Sequence, residues 1–249
     1  MSPRRIVVGD VHGHYEALMS LLQRISLESD DQLYFLGDLI DRGPNSADVV
    51  EFIIQNNYPC LRGNHEEMLL ASLDGSGQVC PEALQAWLYA GGHATLKSYN
   101  NTIPQTHFDW FNNLPYYLDL GGVWLVHAGV NPLQPLESQS AEEFCWIREP
   151  FHRAPFPYFK DKIIVTGHTL TFTFPGVTPG KLAAGPGWLD IETGAYHPQS
   201  GWLTGLDIDH WVVYQLNTKD GAFRKLPLRK AAVTIDPSRL GDRRSRHFR

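Results

Sequence analysis

Five short apolar runs in this chain end in the same way. Val8 precedes Gly9, Asp10 and, two residues further, His12; Leu36 precedes Gly37 and Asp38; Leu61 precedes Arg62, Gly63, Asn64 and His65. Later, Val126 precedes His127, and Val165 precedes Thr166, Gly167 and His168. Short apolar runs bounded by turn residues read as buried strands. In open α/β sheets, ligands bind beyond the carboxyl ends of the strands. Five strand ends with one kind of chemistry therefore describe one site.

The donors at those ends say what the site holds. Asp10, Asp38, Asn64, His12, His127 and His168 supply two carboxylates, one amide oxygen and three imidazoles, with no thiolate. Such a set suits manganese, iron, zinc or nickel better than a soft metal or a structural zinc cage. Six side chains exceed what one catalytic ion with open positions needs, and they match two divalent ions sharing a carboxylate.

The spacing around these runs predicts an alternating first third. Helix periodicity places Leu18, Leu21, Leu22 and Ile25 on one face of "YEALMSLLQRI", and Ala47, Val50, Ile53 and Ile54 on one face of "SADVVEFIIQ". "QLYFLGD" and "PCLRGNHE" read as short strands and "EEMLLASL" as a third helix, an order that implies a largely parallel sheet. Residues 81–118 read as mostly helical, with Trp87, Tyr89, Phe108, Trp110 and Phe111 as packing residues. From "YYLDLGGVWLVHAG" onward the chain turns to strands, which predicts a second sheet packed on the first.

Composition narrows the function classes. With 21 Lys and Arg against 27 Asp and Glu the formal net charge is −6, a poor balance for gripping a nucleic-acid backbone. No apolar run approaches membrane-spanning length. Cys60, Cys80 and Cys145 are odd in number and widely spaced, as expected in a reducing compartment rather than a disulfide framework. "MSPRRIVVGD" carries paired arginines at Arg4 and Arg5, but three apolar residues are too few for a signal peptide, so the expected location is cytoplasmic.

GDVHG (Gly9 to Gly13), GDLIDRG (Gly37 to Gly43), RGNHE (Arg62 to Glu66), HAG (His127 to Gly129) and TGHT (Thr166 to Thr169) occur in that order. Together they resemble the signature of the PPP-type calcineurin-like metallophosphoesterases, in particular their bacterial and phage Ser/Thr protein phosphatase branch. "WLYAGGHATLKSY", "WIREPF" and "IETGA" extend the likeness over about residues 5–216. The resemblance implies an α/β fold, a four-layer α/β/β/α sandwich of two mixed sheets flanked by helices. One domain is expected over residues 1–235, followed by a basic tail over 236–249.

The roles implied by the resemblance follow position by position. Asp10 and His12 would hold a first metal, Asp38 would bridge, and Asn64, His127 and His168 would hold a second, with manganese the first expectation. His65 would be the general acid and Asp41 its orienting partner. Arg42 and Arg148 would grip the phosphate, with Asn64 also facing substrate. The implied activity is hydrolysis of phosphomonoesters in phosphoproteins by a metal-bridging hydroxide. The alternatives are a bis(5'-nucleosyl)-tetraphosphatase and, with less support, a catalytically silent binding module. Phosphorylated protein or a small phosphoester would be the partner, with neither nucleic acid nor membrane.

Several neighbours fall outside the pattern. His14, His93, His107, His152, His197 and His210 match no ligand position, and Glu66 and Glu67 read as favourable charges in the first turn of a helix. The Gly- and Pro-rich segment "FTFPGVTPGKLAAGPG" after His168 is expected at the rim of the site.

Overall fold

A computed structural model describes residues 3–73 and 78–240. Of the basic tail expected over 236–249, residues 241–249 lie outside the described residues. In chain order the first elements are β1 (Arg5–Val8), α1 (Tyr15–Ile25), β2 (Gln32–Phe35), α2 (Ser46–Gln55), α3 (Asn64–Ala71), α4 (Pro81–Trp87), α5 (His93–Ser98) and α6 (Gln105–Asn112). There follow β3 (Tyr117–Asp119), β4 (Val123–Val126), α7 (Ala141–Trp146), α8 (Glu149–His152), β5 (Ile163–Thr166), β6 (Leu182–Gly185) and β7 (Trp188–Asp190). The chain closes with β8 (Trp202–Asp207), β9 (Val212–Asn217), β10 (Phe223–Pro227), α9 (Leu228–Ala231) and β11 (Ala232–Thr234).

Two sheets result, ordered β10-β9-β8-β1-β2 and β11-β6-β7-β5-β4-β3. Because successive strand side chains point to opposite faces, each central strand feeds two cores. Val7 of β1, Val123 and Leu125 of β4, Val165 of β5 and Leu189 of β7 share the apolar layer between the sheets. Their neighbours Ile6 and Val8 face outward into a second layer with Leu18, Leu21, Val50 and Ile53 of α1 and α2. Trp124, Val126, Ile164 and Trp188 face outward from the other sheet against Phe144 and Phe151 of α7 and α8. The strands are short and apolar because both faces are covered. The product is an α/β/β/α sandwich of two mixed sheets.

Several expectations change in detail. Only β1 and β2 are parallel in the first sheet; β8, β9 and β10 join it antiparallel, so it is not largely parallel. After β2 the chain leaves this sheet and returns only at β8, which ends the alternating run at two strands. The strand expected from "PCLRGNHE" is a single bridge between Phe35 and Cys60. Helix α3 begins at Asn64 instead, because Glu66 folds back onto the Gly63 amide as a capping box. On α2 the buried face is Ser46, Val49, Val50 and Ile53, so Ala47 lies off it. The Gly- and Pro-rich stretch contributes both rim and β6, which adds an interior strand to the second sheet.

Trp87 and Phe111 are core residues as expected, whereas Tyr89 is 95% exposed. The three cysteines are free. Among the described residues no helix is long and apolar enough to cross a membrane.

The starts of β1 and β2 are tied by one ion pair. Asp31 accepts the Arg4 amide at 2.8 Å, the Arg4 Nε at 3.0 Å and the Glu28 amide at 2.8 Å. Hydrogen bonding from Arg4 pulls the Asp31 carboxyl down from 3.8 to about 2. A depressed carboxyl pKa stabilises the fold above the unfolded value, and that contribution is lost as pH falls from 4 through 2. Asp31→Asn is expected to cost about 1 kcal/mol at pH 7. Urea unfolding checks this, with the gap to wild type closing as the pH falls through that window.

Candidate active site

The donors converge where β1, β2, β4 and β5 end. Asp10, His12, Asp38, Asn64, His65, His127 and His168 are all buried. His12, Asp38 and His168 have positive φ angles of 46°, 49° and 67°, and Asp41 and Arg42 follow at 73° and 68°. Side chains rarely adopt this left-handed backbone, and its concentration here turns the chain back over the strand ends. Two glycines make room for the carboxylates: a Cβ on Gly63 would collide with the Asp38 side chain, and one on Gly167 with that of Asp10.

Backbone carbonyls fix two of the imidazoles. His12 Nδ1 donates to the Ile40 carbonyl at 2.8 Å and His127 Nδ1 to that of Leu36 at 2.9 Å. Each ring is thereby left with a bare Nε2, the tautomer a metal ligand needs. His127 Nε2 lies 3.0 Å from Asn64 Oδ1 and 3.4 Å from Asp38 Oδ1, and His168 Nδ1 lies 2.8 Å from the same Asn64 oxygen. The His127 Nε2 and Asn64 Oδ1 lone pairs thus face one another with no proton between them, which a cation would relieve, whereas His168, whose Nε2 accepts from Arg148, turns its Nδ1–H to the same oxygen. Burial and the neighbouring Glu192 and Asp38 carboxylates push the Asp10 carboxyl well up, a second sign of unbalanced negative charge. Burial alone would raise Asp38 too, but His127, His65 and His12 pull it well below its ordinary value.

Two tight groups share Asp38: His12, Asp38 and His65 on one side, and Asp38, His127 and His168 on the other. Asn64 joins the second group. Asp10 stands slightly apart, its carboxylate accepting the His168 amide at 3.1 Å. The donors therefore fit two divalent ions with Asp38 between them. Burial holds the His12 and His127 imidazoles below their ordinary pKa, in the neutral form that can ligate.

His65 and Asp41 form the second part of the site. His65 Nδ1 donates to Asp41 Oδ2 at 2.5 Å, leaving Nε2 turned toward Asp38, 3.9 Å away. The Asp41 carboxylate also accepts Trp87 Nε1 at 2.9 Å and Thr95 Oγ1 at 2.6 Å. A π-turn over Leu88–Gly92 lies between these donors, and the Gly91 carbonyl accepts the Arg42 amide at 3.2 Å. The "WLYAGGHAT" stretch is thus a cradle for Asp41 and Arg42.

Arg42 and Arg148 stand exposed at the mouth of a cavity of about 260 Å³ that also contains Asp38, Asn64, His65 and His168. Arg42 Nη1 donates to His12 Nε2 at 2.7 Å, and Arg148 Nη1 to His168 Nε2 at 2.6 Å. Each fork therefore flanks a different donor group. The Arg42 guanidinium lies 3.9 Å above the Tyr196 ring, which packs edge-on against His12.

Sequence reasoning missed several supporting residues. Glu66 does more than favour a helix terminus: its carboxylate accepts the Asp38 and Gly63 amides at 2.9 Å and that of Leu39 at 2.8 Å. Trp87 and Thr95 read as packing and helix residues. Tyr196, Asp190 and Glu192 sit at or near "IETGA", where no local pattern distinguishes them from ordinary strand-end residues.

Residues 3–192 match the family model described as calcineurin-like phosphoesterase. Serine/threonine-protein phosphatase 2 of Escherichia coli K12 is 35% identical over 119 residues, covering 46% of this chain and 51% of that protein. The symmetrical bis(5'-nucleosyl)-tetraphosphatase of Actinobacillus pleuropneumoniae serotype 3 is 33% identical over 132 residues, 51% of this chain and 45% of that one. The chain spans about half the length of these curated relatives. A solved structure provisionally described as a diadenosine tetraphosphatase superposes with a TM-score of 0.62 at 21% identity, covering 91% of this chain and 94% of its own.

Glu66→Gln tests the support of Asp38. The amide cannot accept all three backbone donors without turning an NH2 toward one of them, a loss of about 2 kcal/mol. Thermal unfolding should show a lower midpoint, and metal titration a weaker affinity at both ions, since Asp38 is shared.

Proposed function

The chain belongs to the calcineurin-like phosphoesterase family, and from that premise we propose that it is a dinuclear-metal hydrolase that removes phosphoryl groups from phosphoserine and phosphothreonine in proteins. The observation that carries the reading is the pairing of two exposed arginines with a buried His65–Asp41 couple around one cavity. Two divalent ions held by the donors around Asp38 would activate water at neutral pH and offset the negative charge of the phosphate.

The remaining work falls to the chain's own side chains. Arg42 and Arg148 give up their imidazole contacts and donate in pairs to the terminal phosphoryl oxygens. Tyr196 holds the Arg42 fork flat during that exchange. His65, protonated and kept upright by Asp41, delivers a proton from Nε2 to the departing serine or threonine oxygen. Trp87 and Thr95 keep the Asp41 carboxylate turned toward His65 rather than toward the cavity. Trp146, 40% exposed, carries the carbonyl 3.3 Å from His168 Nε2 and offers an apolar contact for a peptide at the rim.

A second reading, hydrolysis of a dinucleoside polyphosphate, is favoured by the continuation of the catalytic cavity past Arg148. Metal-stripped, manganese-reconstituted protein offered a phosphoserine/phosphothreonine peptide and diadenosine tetraphosphate in parallel separates the two. Faster phosphate release from the peptide supports the first reading, and faster cleavage of the dinucleotide replaces it with the second. His65→Asn is expected to retain both metals and the fold. Its kcat on the phosphopeptide should fall by roughly 10²- to 10³-fold, with a smaller loss on p-nitrophenyl phosphate, whose leaving group needs no proton. Equal turnover on the peptide would remove His65 from the mechanism.

A further inference from the structure

Two arginines flank the donor groups, and they are held in different ways. Arg42 has the Tyr196 ring 3.9 Å beneath its guanidinium and the Gly91 carbonyl at its amide. Arg148 stands immediately before α8, a helix of only four residues, Glu149–His152. A single turn is not stable on its own, so its geometry has to come from what packs on it. The Arg148 carbonyl is where that packing takes hold. It accepts the His152 amide at 3.1 Å and, on the same oxygen, His152 Nδ1 at 2.8 Å.

The His152 ring is fixed from three parts of the chain. Phe151 of α8, Phe174 of the Gly- and Pro-rich segment and Trp188 of β7 surround it, with ring centroids 4.8–5.1 Å away. Phe151 in turn closes on Gly129, where a Cβ would lie 2.6 Å from its ring, so α8 is registered against the loop that follows His127. Behind the ring, Asp190 Oδ2 lies 3.6 Å from His152 Nε2, and neither atom has a hydrogen-bond partner among the described residues. Burial pushes the imidazole down to about 3 and the Asp190 carboxyl well up. A neutral ring thus faces an acid that tends to keep its proton, and the ring's own single proton belongs on Nδ1, at the Arg148 carbonyl.

We propose that His152 is a positioning residue: by donating from Nδ1 to the Arg148 carbonyl it fixes the backbone from which the Arg148 guanidinium reaches the phosphate. The side chain acts through Arg148 and not on the substrate. Its Nδ1 contact and its aromatic box do separate work, the first setting where Arg148 stands and the second packing the layer outside the second sheet. A guanidinium donates in pairs only over a narrow range of distance and angle, so a displaced backbone weakens the grip without removing the charge. Phosphoryl oxygens are gripped in the bound substrate as well as during reaction, so loss of the grip raises KM more than it lowers kcat.

This inference rests on the hydrolase reading and can fail separately from it. Manganese-loaded His152→Phe and His152→Asn are compared with wild type by calorimetric titration with inorganic phosphate, by kinetics on p-nitrophenyl phosphate and by thermal unfolding. Phe keeps a ring in the box but has no donor, whereas the Asn amide places a nitrogen where Nδ1 stood and leaves the box part-empty. The two variants should therefore rank in opposite orders. His152→Phe should bind phosphate roughly fivefold more weakly and raise KM to match, with kcat changed by less than about twofold. His152→Asn should keep phosphate affinity within about twofold of wild type and show the lower melting midpoint of the two. In an Arg148→Ala background, His152→Phe should cost no further phosphate affinity. If His152→Asn does not fold, that background comparison decides alone. Unchanged phosphate affinity in His152→Phe, the same ranking in affinity and stability, or a loss that persists without the Arg148 side chain would each overturn the positioning role and leave the hydrolase reading standing. A wild type that neither binds phosphate nor turns over the ester would overturn both.

Discussion

Everything in the site depends on keeping one buried carboxylate, Asp38, in place among imidazoles. A carboxylate taken out of water is costly unless hydrogen bonds and opposite charge compensate it. Here Asp38 Oδ1 accepts the His65 amide at 2.9 Å, and Glu66 anchors the Asp38 and Leu39 amides from behind. The same Asp38 carboxylate lies within 4 Å of ring nitrogens on His12, His65 and His127. Burial pushes the Glu66 carboxyl up to about 7, with Asp38 adding to the effect, so one stabilising contact is built at the expense of another buried charge. Two divalent cations would relieve both.

The sandwich supplies the rigidity this arrangement needs. Five site residues sit on left-handed backbone, each at a cost of about 1–3 kcal/mol. Such strain persists only where surrounding structure over-determines it. The strand ends that carry it are flanked on both faces by fully apolar layers, with Val7, Leu125 and Val165 inside and Val8, Val126 and Ile164 outside. Short strands buried on two sides fix where the chain leaves the sheet, and the polar residues begin at that point. The close spacing of core strand and donor residue in the sequence is thus a mechanical requirement.

That requirement explains what could be read from the sequence. His12, Asp38, Asn64, His127 and His168 were visible because each follows its own apolar run within a few residues. Glu66 looked like a helix-dipole residue, since its partners at Asp38 and Leu39 lie 28 and 27 positions away. Trp87 looked like a packing residue and Thr95 like an ordinary helix position, because the π-turn that brings them onto Asp41 is invisible to a 3.6-residue period. The first sheet read as largely parallel because β8 pairs with β1 only after the chain has built the second sheet. Strand order across some two hundred residues leaves no local trace, whereas a strand end does.

Charge organisation sets a limit on what the site accepts. The floor gathers Asp10, Asp38 and Glu192, and burial with Asp38 nearby pushes the Glu192 carboxyl up to about 8. Burial holds the His12, His127 and His168 imidazoles below their ordinary pKa, so these three rings do not supply the compensating positive charge. The compensating positive charge at the mouth belongs to Arg42 and Arg148, and in these contacts each guanidinium is spent on a histidine nitrogen. A cation held by His12 would take the Nε2 that Arg42 now contacts, whereas His168 faces Asn64 through Nδ1 and meets Arg148 through Nε2. The two forks are thus placed differently: Arg42 sits on the His12 nitrogen that would ligate an ion, and Arg148 on the His168 nitrogen turned away from Asn64.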